Sequence, residues 1–144
     1  MARIEFHFNA PALVPYACRL LRKVHGRGLR AQVVGHSTTL SQLDQMLWTF
    51  SPLEFLPHCT AGAPEPMRQS SVVLLSEQPS PDWQRQVLVN LGEAVPEGFE
   101  NFERIIEVVS VDELHRAQAR ERWRQYTRMG HELVRHDLTQ AGSA

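Results

Sequence analysis

The chain has 144 residues, 42% of them hydrophobic and 22% charged, with a formal net charge of −1. That length fits one domain able to bury a core, the composition excludes collagenous and disordered classes, and the charge excludes a polyanion binder that works through its whole surface. Two cysteines, Cys18 and Cys59, give no disulfide framework; no apolar run reaches membrane-span length, and the opening MARIEFHF lacks a secretory apolar segment, so a cytoplasmic location with no membrane association is expected.

Residues 3–9 alternate Ile4, Phe6 and Phe8 with Arg3, Glu5 and His7, the period of a strand. Over 15–25, Ala17, Leu20, Leu21 and Val24 fall at helical spacing, and Gly26 and Gly28 supply a stop. Residues 29–34 predict a short strand around Val33 and Val34. Residues 39–48 predict a second helix carrying Leu40, Leu43, Met46 and Leu47 on one side. A proline-rich loop is expected over 50–66, with much apolar surface in Leu53, Phe55 and Leu56. The compact runs at 70–75 and 87–91 predict buried strands, and 96–102 a turn or short helix. RIIEVV at 104–109 predicts the last strand, leading into a long helix over 110–130.

Alternation of strands and helices predicts an α/β fold: a three-layer sandwich with a mostly parallel sheet and Rossmann-like topology. Apolar strands without clear alternation agree, because parallel strands are buried on both faces. A single domain over 1–137 is expected, with a frayed tail over 138–144.

The helix over 110–130 carries the most unusual pattern. Ser110 and Glu113 have capping-box spacing, and Gly130 is a natural stop. At about 100° per residue, Arg116, Arg120, Trp123 and Thr127 share one strip. Ala119, Tyr126, Met129 and Leu133 form an apolar strip beside it, and Trp123 sits on the seam. Over 111–128, five arginines stand against Asp112, Glu113 and Glu121, a local excess of two positive charges (5 − 3) in an otherwise slightly negative chain. An aromatic ring beside arginines suits a ligand that is both acidic and hydrophobic.

Other chemistries lack their residues. Residues 9–15, NAPALVP, follow the first strand without a glycine, so no GxGxxG loop can approach a pyrophosphate, and no GxxxxGK[ST] occurs. His58 and Cys59 are adjacent in sequence, and His131 and His136 diverge if they lie on a helix, so no metal site is expected. Cys18 sits among core-type residues, and no GxSxG elbow exists. No catalytic residues, intrinsic activity or cofactor are therefore expected. The segment 48–57, WTFSPLEFLP, reads either as a packed loop or as an exposed apolar patch that marks an interface.

Two stretches together resemble the chi-subunit family of bacterial DNA polymerase III holoenzymes. LDQMLW at 43–48 followed by EFLPH at 54–58 and Ala61-Gly62 is similar to its LD..LW…F.PH..AG segment, and ARERWRQY at 119–126 to its ARERY.AY helix. Chain length and the strand-like start also fit, whereas 63–85 matches weakly. The resemblance implies a non-catalytic adaptor that touches DNA only indirectly. One face binds the psi subunit of the clamp loader; another binds the acidic, Phe-ended C-terminal tail of single-stranded DNA-binding protein. By position, the tail site would use Arg120, Trp123 and Arg124 with Arg116 and Val109 near its edge, and the psi face Trp48, Phe55 and Pro57. Trp123 stands where the family has tyrosine, while Thr127 and Arg128 depart from its pattern. Two alternatives remain at this point: a nucleotide-dependent enzyme on the same fold, and direct nucleic-acid binding through the arginine helix, against which the net charge argues.

Overall fold

The computed structural model describes residues 3–49, 56–81, 83 and 85–139. In chain order the elements are β1 (Arg3–Ala10), α1 (Leu13–Gly26), β2 (Ala31–Val34), α2 (Ser37–Thr49), β3 (His58–Thr60), α3 (Glu65–Ser70), β4 (Val73–Ser76), β5 (Val87–Asn90), a 3-10 turn (Phe99–Asn101), β6 (Arg104–Ser110), α4 (Glu113–Arg128) and β7 (Leu133–Asp137). The strands form one seven-stranded sheet in the order β3-β4-β2-β5-β6-β1-β7, and every pairing is parallel.

Period-two alternation sends successive side chains of each strand to opposite faces. On β6, Ile106 and Val108 join the core that Leu21 and Val24 of α1 share with Leu43 and Leu47 of α2. Ile105 and Val109 turn the other way, into a core with Ile4, Phe6, Ala119 and Tyr126. The sheet is therefore the middle of three layers, with α1 and α2 on one face and α4 on the other. This is the expected Rossmann-like sandwich.

Four local expectations are corrected. β6 is not the last strand: α4 ends at Arg128, Gly130 takes a positive φ of 88°, and the chain returns as β7 along β1. Leu133 consequently lies on a strand rather than on the helix's apolar strip, and Met129 is exposed. The predicted loop over 50–66 contains β3 and the start of α3. Ser110 ends β6 and does not cap α4; the cap is Asp112, whose carboxylate accepts the His115 backbone N–H at 3.0 Å. At the far end of β7, the Leu138 N–H still donates to the Phe8 carbonyl at 3.0 Å.

Candidate functional site

α4 lies on the sheet through Ala119, Arg122 and Tyr126, spaced three and four residues apart on one face. Arg122, one of the five arginines in the local charge excess, is 1% exposed. Its Nε donates to Glu107 at 3.0 Å and its Nη1 to the Glu93 carbonyl at 2.9 Å. Glu107, itself fully buried in the middle of β6, also accepts from the Tyr126 hydroxyl at 2.7 Å and from Asn90 Nδ2 at 3.0 Å. Burial and the neighbouring Glu107 charge both push the Tyr126 pKa upward, which keeps the phenol protonated as the donor. The arginine excess of α4 is thus smaller at the surface than the sequence indicates.

The remaining arginines differ in their partners. Arg116 pairs with Glu113 at 3.4 Å, Arg124 with Glu121 at 3.1 Å, and Arg128 with Glu121 at 3.3 Å. Arg120 has no carboxylate within ion-pair distance among the described residues.

An open pocket of about 340 Å³ lies between α4 and the β6, β1 and β7 strands. Phe6, Phe8, Val109, Ala119 and Trp123 give it an apolar floor, and Arg116, Arg120 and Arg135 supply its cations. Trp123 is half-buried and meets Phe6 edge to face, with ring centroids 5.1 Å apart. Four of the five residues assigned by sequence to one site, Val109, Arg116, Arg120 and Trp123, line this pocket. Arg124 does not; it is exposed beside Glu121. Sequence reading missed Phe6, Phe8 and Arg135. The alternation in β1 placed both phenylalanines on one face, but nothing local tied that face to α4, and Arg135 belongs to the unforeseen β7. The Arg135 guanidinium lies 5.3 Å from the centre of the Phe8 ring, within cation–π range.

At the opposite edge of the sheet, Trp48 at the end of α2 is 52% exposed, its ring 5.0 Å from that of His58. Pro57 is half-buried, and its carbonyl accepts the Val72 N–H at 2.9 Å, which ties it to the start of β4. Leu56 is buried, whereas Phe55, the third residue assigned to this face, lies outside the described residues. With neighbouring parallel strands about 4.8 Å apart, β3 and β7 are separated by roughly 29 Å.

A second cleft, of about 400 Å³, opens past the C-terminal ends of β2 and β5, between Val34, Gly35 and Asn90. Doubly wound sheets bind nucleotides at such places. Here Glu77, Glu93 and Glu97 line it, a charge that repels phosphate. Glu5, His7 and His136 bring three ligand-type atoms within 4.8 Å of one another. His136 is on β7 in register with His7, so the expectation that it points away along a helix is corrected. Both Glu5 oxygens are already engaged: Arg104 donates to them at 2.6 and 3.0 Å, Arg3 lies 3.2 Å away, and His7 donates at 3.2 Å. Two guanidinium groups this close oppose a cation, and the group reads as a buried charge network. Both cysteines are buried as free thiols, and burial pushes the Cys18 pKa up to about 11. Among the described residues no helix is long and apolar enough to cross a membrane.

The chain matches the family described as DNA polymerase III chi subunit, HolC, over residues 1–134. It is 31% identical to the DNA polymerase III subunit chi of Pseudomonas aeruginosa over 143 residues, covering 96% of this chain and 98% of the relative. It is 30% identical to the subunit chi of Haemophilus influenzae over 122 residues, 81% of each.

Proposed function

The chain belongs to the DNA polymerase III chi subunit family, and we propose that it serves as a non-catalytic adaptor in bacterial DNA replication, in the cytoplasm. One face takes the acidic, Phe-ended tail of single-stranded DNA-binding protein, and the other takes the psi subunit, which links it to the clamp loader. The observation that supports this reading best is the pocket between α4 and β1: an apolar floor beside arginines, one of which, Arg120, has no carboxylate partner among the described residues.

The terminal phenylalanine ring enters against Trp123 and Val109. Its carboxylate takes Arg120 and Arg116, since guanidinium groups bind carboxylates in a bidentate fork. Arg124, one turn farther along α4, adds charge to the approach. These contacts are exposed, so affinity is modest and falls with salt. Many tails on one protein-coated strand restore grip through effective concentration. Trp48 and Pro57, at the other edge of the sheet, take psi together with Phe55, which the resemblance assigns to the same face, and this leaves both partners room to bind together.

Calorimetry at low salt with an acidic peptide ending in phenylalanine tests the first face. Arg120→Ala and Trp123→Ala should each weaken binding at least about tenfold, in line with loss of a central anchor; unchanged affinity in both removes the assignment. Trp48→Ala combined with Phe55→Ala should abolish co-purification with psi and leave peptide binding intact. Loss of both activities would point to unfolding instead.

A further inference from the structure

The pocket carries cations on two walls, and the wall away from α4 belongs to an edge strand. β7 pairs with β1 and ends the sheet, so the backbone groups on its outer side have no strand partner among the described residues. Leu133 packs into the core under α4, and Arg135, two residues on, projects to the same side and lines the pocket. His136 turns to the other face, 3.4 Å from Glu5. Asp137 is held by Asn9 at 3.0 Å and by the Thr139 hydroxyl at 2.7 Å. Arg135 itself has no carboxylate within ion-pair distance among the described residues; its guanidinium lies over the Phe8 ring.

A C-terminal residue bears its ring, its carboxylate and the rest of its chain on one Cα. With the ring on the pocket floor, carboxylate and chain must leave in different directions. The α4 wall offers two arginines to the carboxylate. The β7 wall offers one arginine and an open strand edge, a surface to which extended peptides add through main-chain hydrogen bonds. We infer that Arg135 binds a side-chain carboxylate upstream of the terminal aromatic residue, and that the bound peptide leaves the pocket over the outer edge of β7. This rests on the peptide-binding reading of the pocket given above.

The test uses the full chain and three peptides: an acidic peptide ending in phenylalanine, the same peptide with every aspartate changed to asparagine, and the acidic peptide with an amidated C-terminus. Each is titrated calorimetrically into wild type, Arg135→Gln and Arg120→Ala. Arg135→Gln should weaken the acidic peptide about fivefold, the scale of one exposed charge pair. It should cost the asparagine peptide almost nothing. Amidation should cost wild type and Arg135→Gln equally, but cost Arg120→Ala much less. An Arg135→Gln protein that binds all peptides as wild type does, or that loses equally on the acidic and asparagine peptides, overturns the assignment. If Arg120→Ala and Trp123→Ala leave binding unchanged as well, the pocket reading fails with it. If those two weaken binding while Arg135→Gln does not, only the role of Arg135 falls. An unchanged melting temperature for Arg135→Gln confirms that the fold is intact.

Discussion

Arg120 and Arg122 stand two positions apart on one helix, and replacing each with alanine should have opposite consequences. Arg122→Ala removes the cation from Glu107, which is fully buried and, among the described residues, keeps Asn90 and Tyr126 as side-chain donors. Breaking a buried pair from one side costs about 3–5 kcal/mol, because the remaining charge stays desolvated. The Glu93 carbonyl loses its donor as well. For a domain near 150 residues, about 2–4 °C of melting temperature follows each kcal/mol, so the midpoint should fall by about 6–20 °C. Arg120 is exposed and has no carboxylate partner among the described residues, so Arg120→Ala should stay within about 0.5 kcal/mol of wild type. Urea and thermal unfolding of both variants, without any ligand, measure the difference. A double change, Arg122→Met with Glu107→Leu, should be more stable than Arg122→Ala alone, since no buried charge is left unpaired. A loss below about 1 kcal/mol for Arg122→Ala would refute the reasoning, because it would mean that Glu107 is solvated or finds another cation.

Two further outcomes follow from the buried groups. Burial raises the pKa of Glu5, but the hydrogen bonds from His7 and Arg104 outweigh it and hold the carboxyl well below its ordinary 4.5. A carboxyl depressed in the folded state contributes stability above its unfolded pKa and loses it as pH falls toward the folded value. Wild type should therefore lose stability on acidification below about pH 4.5, and Glu5→Gln should be less stable at neutral pH with a flatter acid limb; parallel limbs in urea titrations would refute this. Cys18 is fully buried, with its thiol pushed up to about 11, so an aromatic disulfide reagent at pH 8 should label it only after unfolding. Rapid labelling of the native protein would show that α1 opens far more readily than its packing indicates.

Much of this fold was legible locally. The alternation in residues 3–9 and the compact apolar runs gave β1, β4, β5 and β6, and the helical spacing of Leu40, Leu43 and Leu47 gave α2. β7 was not legible, because LVRHD has two apolar residues and owes its conformation to hydrogen bonding with β1, more than a hundred residues away in sequence. Asp112 outcompeted Ser110 as the cap because β6 holds Ser110 to its end, where its hydroxyl meets the His115 ring at 3.0 Å. For Arg122 a signal existed. Glu107 interrupts the run RIIEVV, and a carboxylate inside a buried strand requires a cation. The pocket residues on α4 could be grouped from helical geometry alone, whereas Arg135 could be added only once β7 was seen beside β1.

The tether between Arg122 and Glu107 also acts as a rotational key. Consecutive helical residues are about 100° apart in azimuth, so fixing one fixes the bearing of the next. Hydrophobic contact alone tolerates some rolling and sliding of a helix on a sheet, but a guanidinium bonded to a carboxylate and a loop carbonyl does not. With Arg122 keyed into the sheet, Trp123 has its bearing toward Phe6 set before any ligand arrives, and Arg120 and Arg116 follow at fixed angles behind it. The aim of the pocket is thereby decided inside the core, by a residue that never touches the pocket.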